Sequence, residues 1–279
     1  MIRRLIIKVL RQFKANGICG VLDAIFRKLT PSDFHPIDVA IDAITQEADF
    51  SVIQLGAFIG NTRNDPLFMT LRKRMKEING KLIVVEPVKM FYDELIKNYE
   101  DIPGVAFENV AISEHSGPAT IYRLGVDPVP HGYPDWMSQL SSLKTTRMTE
   151  LWDQYEVDKR MQEFYLKHRI EETVQCITFS ELMNRHGLTH LDLLQIDVEG
   201  YELEILQTID FKAFPTRFVN YESVLLNREK PNTEKLMAKW GYHFVDYDQD
   251  TFCYKAGDKH LIRCWKIINY FSYNGIFPY

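Results

Sequence analysis

The chain has 279 residues, 46% of them hydrophobic, and carries a formal net charge of −5. That length suits one large domain with short appendages, and the acidic balance removes any whole-surface reason to expect nucleic acid. Four scattered cysteines (Cys19, Cys176, Cys253, Cys264) without a CxxC pair argue against a disulfide frame or zinc site, and no apolar run approaches the ~20 residues that span a bilayer.

The first fourteen residues hold Arg3, Arg4, Lys8, Arg11 and Lys14, with Ile2, Leu5, Ile6, Val9, Leu10 and Phe13 at helical spacing. Lys8 interrupts the apolar region, which speaks against a signal peptide. Two readings stand: a helix packed on the main domain, or a basic amphipathic helix lying on an anionic membrane surface. The location expected is cytoplasmic, with peripheral membrane contact through residues 1–14 as the alternative. The stretch His260 to Phe271 is similarly apolar and basic. Prolines Pro31 and Pro36 break the chain before the main domain. The domains expected are thus an extension over 1–36, a core over 37–258 and a tail over 259–279.

After a helix from Ile37 to Ala48, Ser51 to Ala57 reads as a first strand ending in glycine, and Gly56 to Asn61 as a tight turn. Asp65-Pro66-Leu67 opens a helix with proline at a tolerated early position. Lys81 to Pro87 is a second strand with an acid at its end, Val88 to Tyr99 a helix and Val105 to Ser113 a third strand. This βαβαβ rhythm marks a parallel, doubly wound sheet. It then breaks: a short strand from Ala119 to Leu124, a proline-punctuated loop from Asp127 to Trp136 and a charged helical stretch from Thr146 to Arg169 form an insertion over 113–176. Such interruptions on a rigid scaffold carry substrate recognition, and this loop can close as a lid. Thr178 to Glu181 is a capping box starting a helix that Gly187 stops. Leu191 to Asp197 is a fourth strand and Arg217 to Glu222 a fifth. Thr233 to Trp240 is a helix. Tyr242 to Tyr247 and Thr251 to Lys255 form a hairpin around Asp248-Gln249-Asp250.

The segment Gln195-Ile196-Asp197-Val198-Glu199-Gly200-Tyr201-Glu202 places carboxylates where a buried strand turns into a helix, the edge at which open α/β sheets bind ligands. Gly56 and Gly60 permit close approach of the backbone to a ligand, and the N-terminus of the following helix offers it free N–H groups. The spacing is G-x-x-x-G; the missing G-x-G-x-x-G disfavours a dinucleotide. Glu86, 30 residues after Gly56, stands where a carboxylate accepts both hydroxyls of a ribose. A nucleoside-containing ligand follows from the pair.

These segments resemble the FkbM-type S-adenosylmethionine-dependent methyltransferases. The resemblance rests on Gln54 to Gly60, Val85-Glu86-Pro87, Glu108 to Ser113, Ser141-Ser142-Leu143, Gln195 to Glu202, Asn220-Tyr221-Glu222 and Asp250-Thr251, and runs from about Phe50 to Lys255. It implies a class I methyltransferase fold: a Rossmann-like, mostly parallel seven-stranded sheet finished by an antiparallel hairpin. It also implies S-adenosylmethionine as cofactor and methyl transfer to a hydroxyl of a sugar, glycan or natural product. The cofactor residues it implies are Gln54, Gly56, Ala57, Gly60, Asn61, Glu86, Pro87, Asn109, Val110, Ala111 and Asp197. Ser141, Ser142 and Trp136 are expected at the acceptor. Gln54 stands where members often carry an acid, and Gln195 where many carry Lys.

A neutral hydroxyl is a poor nucleophile, so a base or metal is expected beside it. Asp197 is the first candidate base, with Glu199, Glu222 and His131 behind it. The converging acids are also hard oxygen donors suited to Mg²⁺, and metal dependence stays open. Helix capping competes with catalysis as the role of Glu199, and it is the role expected of Glu202. A catalytically degenerate cofactor- or partner-binding domain is the alternative reading. Sequence leaves the acceptor and the oligomeric state undetermined.

Overall fold

The computed structural model describes residues 35–46, 49–62, 67, 68, 71, 75, 80–144, 152 and 157–273, with side chains through 266. The basic segment 1–14, the Pro31 break, the Asp65-Pro66 helix start and most of the predicted 146–158 helix lie outside these residues. The chain divides into two compact units, residues 40–256 and a second assembled from the terminal segments 1–39 and 257–279. No helix among the described residues is long and apolar enough to cross a membrane.

The larger unit is built on a seven-stranded sheet. Its strands are β1 (Phe50–Leu55), β2 (Gly80–Val85), β3 (Val105–Glu108), β8 (Leu191–Ile196), β9 (Thr216–Glu222), β10 (Tyr242–Tyr247) and β11 (Asp250–Lys255). From one edge the order is β3-β2-β1-β8-β9-β11-β10; only β11 runs against its neighbours. The fold is therefore α/β with a mostly parallel sheet and a terminal antiparallel hairpin, the layout of class I methyltransferases. Strands β1 and β8 are buried along their whole length, which explains their near-continuous Ile, Leu and Val.

Helix α1 (Pro36–Ile44) precedes the sheet and α2 (Lys89–Tyr99) follows β2. Helix α4 (Phe179–Arg185) starts where its capping box is read: Thr178 Oγ1 accepts from the Glu181 amide at 3.1 Å. The Glu181 carboxylate turns outward, to Ser116 and Arg185. Gly187, at φ +62°, ends the turn. Helices α5 (Glu202–Thr208) and α6 (Lys230–Lys239) complete the set around β8 and β9. Leu182, Met183, Leu203, Leu206 and Met237 form one core with Ile53, Leu194, Ile196, Val219 and Tyr221 from one face of the sheet. Each such residue, fully buried, contributes about 1.5–3 kcal/mol relative to exposure.

Two expectations need correction. The predicted strand Val105 to Ser113 is two strands in different sheets: after β3 the chain turns at Asn109-Val110 and enters β4 (Ala111–Ile112). Asn109 fixes that turn by donating Nδ2 to the carbonyls of Glu86 and Pro87 at 2.9 and 3.0 Å. The helical stretch drawn to Arg169 also ends early: α3 covers Lys159–His168, and Arg169–Ile177 is strand β7. With β5 (Gly117–Leu124) and β6 (Ser141–Ser142) it makes a second, four-stranded sheet in the order β4-β7-β5-β6. The insertion is thus mainly a small sheet. Its Ile121, Val174 and Cys176 pack with Val88 and Phe91 from the start of α2 and with Phe58 and Ile59 from the first turn.

Candidate functional site

Strand order reverses between β1 and β8, the point at which ligands bind outside the carboxyl ends of such a sheet. A cleft of about 670 Å³, counting its open mouth, lies there. Its floor and walls come from Gly56, Phe58, Glu86, Pro87, Val110, Ala111, Ile121, Ser141, Ser142, Asp197, Glu199 and Tyr201.

Gly56 joins the two sides. At φ +76° it adopts a left-handed conformation, and a Cβ there would lie 1.7 Å from the backbone oxygen of Asp197. The glycine is demanded by close approach of β1 to β8. Gly60, at φ +68°, is demanded by α2, because a Cβ would meet the Tyr99 ring at 2.3 Å and Leu95 at 2.6 Å. Four amides of this turn bond within the protein, and the start of the helix that follows, where free N–H groups are expected, lies outside the described residues. The amides of Gly56 and Ala57 both donate to Val85 O, that of Gly60 to Ala57 O, and that of Phe58 to Glu86.

Glu86 is nearly inaccessible, and each of its oxygens accepts one backbone amide: Oε2 from Phe58 at 2.9 Å, Oε1 from Val88 at 2.8 Å. Burial outweighs these bonds and pushes its carboxyl up to about 8. Each oxygen retains a lone pair, enough for the two hydroxyls of a ribose.

On the other side, the turn after β8 is held by a residue that sequence placed only in a capping role. Glu202 is fully buried, and its Oε1 accepts the amides of Val198 at 3.0 Å and Gly200 at 3.2 Å. Glu199, the other capping candidate, makes neither bond. It sits at φ +55°, between Asp197 and Gly200 (φ +89°), and lines the cleft. Burial, then the charges of Asp197 and Glu202, hold its carboxyl well above the usual range. Burial and the surrounding acids do the same to Glu222 at the end of β9. Carboxylate oxygens of Asp197, Glu202 and Glu222 lie within 4.8 Å of one another. Glu222 Oε2 is sealed from solvent and meets no hydrogen-bond donor among the described residues. Such a trio either shares protons or holds a divalent cation.

Below these acids runs a layer of buried amides. Gln54, Gln195 and Asn220 are register partners on adjacent strands β1, β8 and β9. Asn220 donates Nδ2 to Gln195 Oε1 at 2.8 Å and to Asp250 Oδ2 at 2.5 Å. Gln54 thus lies in the sheet interior and not among the residues lining the cleft.

Of the acceptor-side candidates, Ser141 and Ser142 line the cleft, and Ser142 Oγ accepts the Lys144 amide at 3.2 Å. His131 and Trp136 are exposed and outside the lining; Ala57 (buried), Asn109 (half-buried) and Asn61 (exposed) also lie outside it. The lid that carries His131 and Trp136 is tethered. Tyr133 stacks on Phe164 of α3 with ring centres 4.1 Å apart, and Arg160 lies over the Tyr133 ring and donates to Gly132 O at 2.8 Å. A cluster of Leu124, Met137, Leu140 and Tyr165, with Leu225 beyond β9, holds lid, α3 and sheet end together.

Three solved structures share a remote likeness. They are a Methanococcus jannaschii fibrillarin pre-rRNA processing protein (8% identity, 74% of this chain and 66% of that one, TM-score 0.35), a ribosomal protein L11 methylase from Lactobacillus delbrueckii subsp. bulgaricus (9%, 86% and 81%, 0.36) and a fibrillarin/Nop5p complex (12%, 75% and 74%, 0.35). No curated protein matches the chain. The family model described as "Methyltransferase FkbM domain" matches residues 54–244, from the amide layer of β1 to the start of the terminal hairpin. The chain belongs to the FkbM methyltransferase domain family, and its membership implies a methyltransferase that uses S-adenosylmethionine.

Proposed function

We propose that this protein is an S-adenosylmethionine-dependent O-methyltransferase acting on a hydroxyl of a sugar, glycan or small natural product. The observation that carries this reading is one cleft lined at one end by a buried carboxylate with lone pairs for a diol, Glu86, and at the other by Asp197 and Glu199. The residues present suit the cofactor. Glu86 would take the ribose hydroxyls, and Val110 and Ala111 offer apolar wall for a purine. The acids of the β8 mouth would face the positive sulfonium end.

The cofactor, when bound, supplies a methyl group already activated on sulfur. The protein then has to hold an acceptor oxygen in line with it and remove a proton. Asp197 is assigned that proton: it stands at the strand mouth, reaches solvent, and has Glu199 beside it in the lining. Glu199, held protonated by burial and the neighbouring charges, donates a hydrogen bond to the acceptor in its neutral form, and Glu222, outside the lining, is held protonated behind it. Ser141 and Ser142 supply orienting hydroxyls.

Calorimetry with S-adenosylmethionine, followed by transfer of labelled methyl to a panel of hydroxylated acceptors, tests the reading. Asp197→Asn is expected to lower kcat by about 10²–10⁴-fold, the span of general-base contributions, with cofactor affinity kept within a few-fold. Full turnover by this variant removes Asp197 from the mechanism. Absence of cofactor binding in the native chain favours a degenerate binding domain, the reading to which the amides at Gln54 and Gln195 lend support.

A further inference from the structure

We infer that Glu202 is a positioning residue for the cleft: through Oε1 it holds the Asp197–Gly200 turn in the one conformation that presents Asp197 and Glu199 together. This rests on the cofactor reading above.

The turn is unfavourable by itself. Glu199 sits at φ +55°, and a residue with a Cβ in the left-handed region costs about 1–2 kcal/mol. Gly200 follows at φ +89°, which an L side chain rarely adopts. Two consecutive left-handed residues persist only where the surroundings over-determine them. On the two sides of Glu199 itself, that support comes from one oxygen. Glu202 Oε1 accepts Val198 N–H at 3.0 Å and Gly200 N–H at 3.2 Å, so it brackets Glu199 on both sides. The bonded residues precede the helix, α5, on which Glu202 stands. The Tyr201 cap of that helix makes no side-chain bond of its own. On the upstream side the same segment is fixed by Asp197 N–H donating to Leu55 O at 3.0 Å and by Gly56 lying against Asp197 O.

A carboxylate accepting two amides forms strong charge-assisted bonds in a site from which water is excluded, since Glu202 is 0% exposed. An uncharged residue of similar length, Gln, retains a carbonyl oxygen for both amides; Ala retains nothing. Released from Oε1, the turn relaxes toward ordinary dihedrals and the Asp197 and Glu199 side chains lose their common direction into the cleft. Glu86, on β2 and anchored by its own amides from Phe58 and Val88, is outside that change. The two ends of the cleft are therefore separable by experiment.

The experiment measures the affinities of the intact protein for S-adenosylmethionine and S-adenosylhomocysteine, which differ by the methyl group and the sulfonium charge. It also follows amide exchange at Val198 and Gly200. Native protein is expected to favour the charged nucleoside, because the Asp197 carboxylate, with Glu199 beside it, is aimed at it. In Glu202→Ala that preference drops by about ten-fold, the scale of a lost close charge complementarity, and both amides lose protection. In Glu202→Gln the preference stays within about three-fold of native and the amides stay protected. If Glu202→Ala does not fold, Gly200→Ala, which strains the same turn with Glu202 intact, takes its place and is expected to lose the preference likewise. Equal weakening of both nucleosides would mean that Glu202 only stabilises the fold. An effect of Glu202→Gln as large as that of Glu202→Ala would mean that its charge, and not its hold on the turn, is what counts. Either outcome overturns the inference. Native protein that binds neither nucleoside overturns the cofactor reading instead, and the inference with it.

Discussion

Gly56 is held to glycine by two independent constraints, the left-handed φ of +76° and the 1.7 Å separation between any Cβ and Asp197 O. Gly56→Ala is therefore expected to destabilise the chain by about 3 kcal/mol or more, through strain plus displacement of a strand end. Thermal unfolding checks this; a melting temperature within a degree of native would refute it. Sequence reading found this glycine but not the approach of Asp197 O to it, since glycine at a strand end looks the same whether a ligand, another strand or both approach it. The same limit applies to Glu199 and Glu202. Both precede or start a helix, and only the chain path shows that Oε1 of the second meets Val198 and Gly200. His131 failed differently: a histidine in a proline-rich loop carries no signal of which way the loop faces, and here it faces solvent.

At the scale of elements, the buried strands β1, β8 and β9 were legible because burial on both faces leaves short, mostly apolar runs, broken by the amide layer and a few other polar residues. The second sheet was not. Strand β7 carries Glu171, Thr173 and Gln175 on an open face, and its alternation is masked by a helix that runs straight into it at Arg169. Strands β3 and β4 together read as one, because the single dihedral change at Asn109-Val110 leaves no mark in an apolar stretch. The lid is the element whose mobility matters most. Tyr133, Phe164 and Arg160 tie it to α3, and an exposed cation–π contact is worth about 0.5–1 kcal/mol. Arg160→Ala is expected to raise the rate of limited proteolysis within residues 127–136 by about two- to five-fold, the population change that such an energy allows. Cofactor affinity should stay native, because Glu86 lies outside the tether. An unchanged cleavage rate would mean the lid does not depend on Arg160.

The molecule as a whole should respond to pH through its buried acids. Glu86 titrates near 8 when folded against a usual value of 4.5, so across that window the folded chain binds a proton that the unfolded chain has released. Stability therefore falls as pH rises through the window and levels off above it. Glu199 and Glu222 are shifted in the same direction and add to the slope. A diol that donates to Glu86 favours its ionised form, so binding of a nucleoside should release a proton and tighten by up to about ten-fold per pH unit below the folded value. Unfolding and calorimetry at a series of pH values between about 5 and 9 check both slopes. Glu86→Gln should abolish the slope in affinity; its persistence would assign the proton to another group.

The small sheet has one further consequence. Its first and last strands, β4 and β7, pair in parallel, with Ala111 beside Cys176 and Ile112 beside Ile177, and Ser113 N–H bonds Ile177 O at 3.0 Å. The 113–176 segment thus leaves and rejoins the chain at one place, like a cassette with adjoining ends. Replacing it between those two points with the corresponding stretch of another family member would exchange the lid, α3, Ser141 and Ser142 as one piece, while every strand of the large sheet and the Glu86 end of the cleft stays uncut. On the proposed function, acceptor choice would then be exchanged with this cassette, apart from the machinery that holds the methyl donor.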